Sequence, residues 1–132
     1  MKLLLDNNFS PRIARSLQAL FADEHEIVAL REKFAASATD VEWISALHDE
    51  RGWAVLSRDL RIRTRPHECA AMDRAAIVFF FLGGSWRRYS VEEQTWRLIR
   101  WIPKLHAQTS LADRGRFEVP INATSKLRPY RD

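Results

Sequence analysis

Three aspartates stand at places where a carboxylate is costly for packing and useful for chemistry. Asp6 closes the first apolar run in MKLLLDNNF, Asp40 opens the segment DVEWISALH, and Asp59 follows the apolar run WAVLS in SRDLR. An acid directly after a buried strand leaves polar oxygens at the rim of a core. A turn accounts for part of this, because Asp and Asn bond nearby backbone and Ser10-Pro11 reads as an N-cap followed by proline at the first helical position. Taken singly, Asp40 suits the start of a helix and Asp59 suits a turn. Carboxylates gathered at one edge would repel one another unless a cation neutralised them, and hard oxygen ligands with room for water suit Mg2+ or Mn2+. Beside Asp59, the stretch SRDLRIRTRP carries Arg58, Arg61, Arg63 and Arg65 around a single acid. Such a stretch would hold a phosphodiester backbone, whereas the plain alternative is a solvated charged loop.

The elements that must position these residues follow from periodicity. Ile13, Leu17, Leu20 and Phe21 recur at helical spacing across residues 10–22, and Glu26 to Leu30 reads as a short strand. Thr39 with Glu42 resembles a capping box ahead of a helix that Gly52 ends, and Ser90 with Glu93 repeats the pattern ahead of a last long helix containing Pro103. Trp53 to Ser57 and Ala76 to Leu82 are continuous apolar runs of the kind buried on both faces of a sheet, with a short helix in RPHECAAMDRA between them. Strand and helix therefore alternate, which predicts an α/β fold with a central, mainly parallel sheet of four to five strands flanked by helices. Its ligand crevice is expected at the carboxyl ends of the strands. In that arrangement Asp6, Asp40 and Asp59 share one edge. The final stretch reads as a short strand around Phe117 to Ile121 followed by an arm, giving a domain over 1–112 with residues 113–132 packed on it.

The chain of 132 residues carries 21 basic and 17 acidic residues, and arginine supplies 17 of the basic ones. Arginine suits bidentate phosphate contact, although an Arg- and Ala-rich composition also arises from a GC-rich genome. One cysteine, Cys69, forms no internal disulfide, and the opening apolar run is too short for a signal peptide or membrane span, so a cytoplasmic protein is expected. His25, His48, His67 and His106 show no metal-ligand spacing with one another or with Cys69, which argues against zinc and Cys/His nucleophilic chemistry. Trp43 and Trp53 fall at core positions. Trp86 and Trp96 are candidates to stack on bases or anchor a partner, or to be buried under the C-terminal arm.

The segments LLDNNFSPRIARSL, TDVEWISALHDERGWAVLSRD and RIRTRPHECAAMDRAAIVFFFLGG, in that order over residues 2 to 84, resemble the PIN-like ribonucleases, in particular the VapC45-type toxins of type II toxin–antitoxin systems. The resemblance implies a single PIN-like domain with Asp6, Asp40 and Asp59 as acidic metal ligands and catalytic residues. It also implies support from Asn7 and Asn8, with Asn8 steadying the first aspartate and Glu42 an alternative occupant of the second acidic position. Many PIN domains carry a further acid two residues after the third, where this chain has Arg61, which makes one firmly held ion more secure than two.

The expected activity is metal-assisted endonucleolytic hydrolysis of RNA, with Arg58, Arg61, Arg63 and Arg65 binding substrate and Mg2+ or Mn2+ as cofactor. Expected partners are the RNA and a cognate antitoxin protein covering the last helix around Trp96 and Trp101, with a homodimer left open and no membrane. Two rival classes are an inactive PIN-like binding or scaffold protein, and a receiver-like signalling domain. The second usually needs an acidic pair, a hydroxyl residue after strand four and a lysine after strand five, where this chain has Asp6-Asn7, Leu82-Gly83-Gly84 and no suitably placed lysine.

Overall fold

A computed structural model describes residues 1–58 and 65–130. The elements run β1 (Lys2–Leu5), α1 (Pro11–Phe21), β2 (Glu26–Ala29), α2 (Leu30–Lys33), α3 (Asp40–Glu50), β3 (Trp53–Ser57), α4 (Pro66–Arg74), β4 (Ile77–Leu82), a short 3-10 helix (Gly84–Arg88), α5 (Val91–Leu111), β5 (Gly115–Val119) and β6 (Arg128–Pro129). They build one six-stranded sheet in the order β2-β1-β3-β4-β5-β6. The first five strands are parallel, and β6 runs antiparallel to β5. This is the α/β architecture expected from the alternation, with six strands in place of four to five. The added strand is the two-residue β6, in which Arg128 and Pro129 pair with Glu118 and Phe117. So short a pairing carries no hydrophobic period and leaves no trace in the sequence.

Local chemistry fixes the helix starts. The Ser10 hydroxyl accepts from the Arg12 N–H, Thr39 from Glu42 N–H and Ser90 from Glu93 N–H, satisfying N-terminal amides that have no partner within the helix. Between α3 and β3 the chain reverses through two left-handed residues, Arg51 at φ 68° and Gly52 at φ 78°. A Cβ on Gly52 would also lie 3.3 Å from the Lys2 Cε, so both conformation and space favour glycine there. The helix α5 continues through Pro103, whose ring faces solvent. The helix α2 is absent from the sequence expectation. Its start is held by the Glu32 carboxylate, which accepts from the Ala29 N–H and from the Gln18 side chain across in α1. The strand expected at Phe117 to Ile121 lies instead at Gly115–Val119, in register with Val78–Leu82 of β4, and ends where Pro120 can no longer donate to the ladder.

Strand alternation divides the apolar side chains into two cores. Leu3, Leu5, Ala54, Leu56, Val78, Phe80 and Leu82 face α1 and α5, while Leu4, Val55, Phe79 and Phe81 face α3 and α4. Every residue of β3 and β4 is buried, which explains their unbroken apolar runs. Each buried phenylalanine of β4 contributes on the order of 1.5–3 kcal/mol. Trp43 and Trp53 lie in the second core as expected. The tail is pinned to α5 by Arg97, which donates to the Ile121 carbonyl and the Asn122 side chain, and by Lys104, which donates to the Ala123 and Ser125 carbonyls. No helix among the described residues is long and apolar enough to cross a membrane.

Candidate active site

The strand order places β2 on one side of β1 and β3 on the other, so the crossovers diverge between β1 and β3. At such a point the loops leave a crevice beyond the carboxyl ends of the strands. Asp6 is the first residue beyond β1 and extends the pairing by donating its N–H to the Leu56 carbonyl at 3.2 Å. The residue is only 8% exposed. Oδ1 accepts from the Asn8 N–H at 3.0 Å, and Oδ2 accepts from the Ser57 hydroxyl at 2.5 Å and the Arg58 N–H at 3.1 Å. Three donors from two strand ends therefore hold one carboxylate in a single orientation.

Asp40 is the first residue of α3, which begins at the same end of the sheet because it returns toward the start of β3. Its Oδ1 accepts from the Trp43 indole at 2.9 Å, and its Oδ2 lies 3.5 Å from the Arg65 guanidinium. Arg65 is also 3.7 Å from Glu68, so the expected substrate-binding arginine bridges two acids and ties the starts of α3 and α4 together. Asp59, Arg61 and Arg63 lie outside the described residues, although Asp59 directly follows Arg58 in the chain. Asn7 lines a cavity beside Asp6. The support expected from Asn8 comes through its main chain: the backbone N–H holds Asp6. Glu42 is exposed, and its backbone N–H is engaged in capping α3.

Two contributors were missed in the sequence. Ser57 is 3% exposed and supplies a side-chain donor to Asp6. Its signal was the position, last in β3 and first of Ser-Arg-Asp. Arg87 stands in the 3-10 helix after β4 and, with Asn8 and Arg58, lines a cavity of about 360 Å3. The Arg58 guanidinium lies 5.3 Å from the centre of the Phe9 ring. Its pKa is lowered, first by burial and then by the nearby Arg87 charge, with Asp6 opposing. It remains protonated at any physiological pH. On the other side of Asp6, toward β2, a mostly apolar cavity of about 360 Å3 is lined by Leu5, Phe9, Ala14, Gln18 and Glu32 among others.

Of the two readings open for Trp86 the structure gives burial, and the contact surface expected at Trp101 is corrected. Trp86 is fully buried and donates its indole N–H to the Val119 carbonyl, so it fastens the 3-10 helix to β5. Trp101 is fully buried in the first core and offers no contact surface. Trp96 alone of the three is exposed, at 44%, with Arg97 stacked against its ring. The histidines do other work: His48 accepts from the Ala76 N–H, and His25 sits between the N-terminal amine and the His106 ring.

Among the described residues no group of three or more His, Cys, Asp or Glu side chains is arranged to hold a metal ion. In donor type, Asp6 and Asp40 fit a hard divalent cation, since both present carboxylate oxygens. Ser57 and the two backbone donors on Asp6 are the outer partners that keep a ligating carboxylate oriented. No curated protein and no solved structure matches the chain. A family model described as PIN like domain matches residues 1–84, from β1 through β4 and the glycine that opens the 3-10 helix, and so includes Asp6, Asp40, Ser57 and Arg58. Domains of this kind are often nucleases. With about two thirds of its length matched, in a sheet whose switch point carries a buried and oriented aspartate, this chain belongs to the PIN-like domain family.

Proposed function

We propose that this chain is a metal-dependent endoribonuclease acting in the cytoplasm as the VapC45-type toxin of a toxin–antitoxin pair. The observation that carries the reading is Asp6: a buried carboxylate held by three donors at the β1/β3 switch point of a PIN-like domain. Burying a charge is costly unless it is hydrogen-bonded, and of the three bonds only the one from Asn8 is the local bond a turn aspartate makes, while those from Ser57 and Arg58 come from a different strand. Asp6, Asp40 and Asp59 would hold Mg2+ or Mn2+, which supplies Lewis-acid activation of the scissile phosphate and of the attacking water. Ser57 and the Asn8 and Arg58 amides fix the Asp6 rotamer, so its oxygens need no reorganisation when substrate arrives. The Arg58 guanidinium, resting on Phe9, brings positive charge to the same end of the sheet, and Arg61, Arg63 and Arg65 extend that charge along the RNA. Arg65 must then exchange part of its contact with Asp40 for phosphate. The antitoxin is assigned to the exposed Trp96 face of α5.

The test replaces Asp6, Asp40 and Asp59 singly with asparagine and measures Mn2+ affinity by calorimetry and cleavage of single-stranded RNA. Each variant is expected to bind metal more weakly and to lose most cleavage, with double variants little worse than single ones because the three act as a unit. Full cleavage by Asp40→Asn together with loss in Glu42→Gln would move the second ligand by two positions. Normal cleavage by all three single variants would refute the site.

One observation favours a second reading, an inactive PIN-like binding protein: Arg65 already neutralises Asp40. Under that reading wild-type protein binds RNA but shows no saturable Mn2+ binding in the same titration.

A further inference from the structure

At the ends of β1, β3 and β4 the structure gathers two guanidinium groups at one cleft. Arg58 and Arg87 line one cavity of about 360 Å3 together with Asn8. Neither guanidinium lies within ion-pair distance of a carboxylate among the described residues. Two guanidinium groups held together in a cleft, one of them half-buried on a phenylalanine face, favour an anion that accepts from several directions.

We propose that Asn8, Arg58 and Arg87 form a pocket for a phosphate group, adjoining Asp6 on the β3/β4 side. The inference deepens the ribonuclease reading and rests on it for its natural ligand. Arg58 links the two places physically, since its backbone N–H holds Asp6 while its side chain lines the pocket. A phosphate there neighbours the scissile one. Arg87 is therefore a substrate-positioning residue contributed from beyond β4. The group bound is either an internal phosphodiester or the 5′-terminal phosphate of an RNA.

The experiment measures anisotropy of 3′-labelled single-stranded RNA, with a 5′-hydroxyl or a 5′-phosphate, in EDTA so that no cleavage occurs. Arg87→Gln is expected to weaken binding roughly tenfold or more and to lower the slope of log affinity against log salt by about 0.7. Arg87→Lys is expected to keep the slope with part of the affinity, and Arg88→Gln, on the same 3-10 helix but outside the cavity, to match wild type. A 5′-phosphate preference that Arg87→Gln abolishes identifies the terminal group, and equal loss on both RNAs identifies the internal one. Wild-type affinity and slope in Arg87→Gln, or equal losses in Arg87→Gln and Arg88→Gln, would overturn the pocket. Cleavage is scored separately in Mn2+. Protein that binds RNA through Arg87 but cuts none removes the ribonuclease reading and leaves the pocket standing. An Arg87→Gln variant that binds and cuts normally does the reverse.

Discussion

Replacing Asp6 with asparagine gives two opposite expectations for stability. If carboxylates crowd one edge, removing a charge relieves repulsion, and the folded state gains. The donors around Asp6 set the opposite sign. Oδ1 and Oδ2 both accept hydrogen bonds, from Asn8 on one side and from Ser57 and Arg58 on the other. An asparagine has one oxygen, so its NH2 group must face at least one of these N–H or O–H donors. At least one charge-assisted bond is lost in a buried place, a cost of about 1.5–3 kcal/mol. For a domain of this size that corresponds to a fall in Tm of roughly 5–10 °C. Asp40→Asn supplies the contrast. Its one oxygen can still accept from the Trp43 indole, and what is lost is a partly exposed contact with Arg65, so the cost is about 1 kcal/mol or less. Urea unfolding without added metal measures both. Asp6→Asn as stable as wild type, or less destabilising than Asp40→Asn, would refute the idea that the cradle on Asp6 contributes to folding.

Two further outcomes follow from the same structure. His25 has its pKa lowered by burial, by the N-terminal amine and by His106, so the unfolded chain binds more protons than the folded one just below pH 6.5. Its contribution to stability is complete above that pH and is lost as pH falls through the folded-state pKa. The urea midpoint of wild type is expected to drop over this window, and a parallel drop of the same size in His25→Gln would dismiss the assignment. Trp96→Ala is expected to leave the unfolding free energy measured in urea within about 0.5 kcal/mol of wild type. It is expected to weaken the complex formed on co-expression with the neighbouring gene product. An undiminished complex would move the partner surface away from α5.

The legible parts of the molecule were those written in local periodicity. Strand β3 was readable to the residue because WAVLS is buried on both faces and bounded by Gly52 and a polar exit. The caps Ser10, Thr39 and Ser90 announced three helices through bonds made within four residues of chain. What stayed hidden depends on distant partners. Helix α2 is begun by Glu32 reaching to Gln18, and β6 exists only by pairing with β5. Trp86, which follows two glycines and is open to either exposure or burial in sequence, is buried because the returning β5 offers its indole a carbonyl. At the site, Asp6 stood out because an acid after an apolar run contradicts packing. Ser57 and Arg87 did not, because a serine ending a strand and an arginine in a turn contradict nothing. Their significance arises only when β1, β3 and β4 lie side by side.

That dependence has a kinetic meaning. Two of the three groups that hold the first aspartate, Ser57 and Arg58, lie 51 and 52 residues further along the chain and are synthesised after it. The cradle is therefore a long-range closure, complete only when β1 has been enclosed between β2 and β3, and no fragment ending before β3 can assemble it. The same closure makes it brittle in a useful sense. The Arg58 amide, hydrogen-bonded to the Asp6 carboxylate at the end of a fully buried central strand, is released when that side chain lets go or when β1 parts from β3, so its protection from exchange reports the integrity of the cradle. A nascent chain carries Asp6 without the cradle until β3 has been made, and gains it in the same step that commits the sheet.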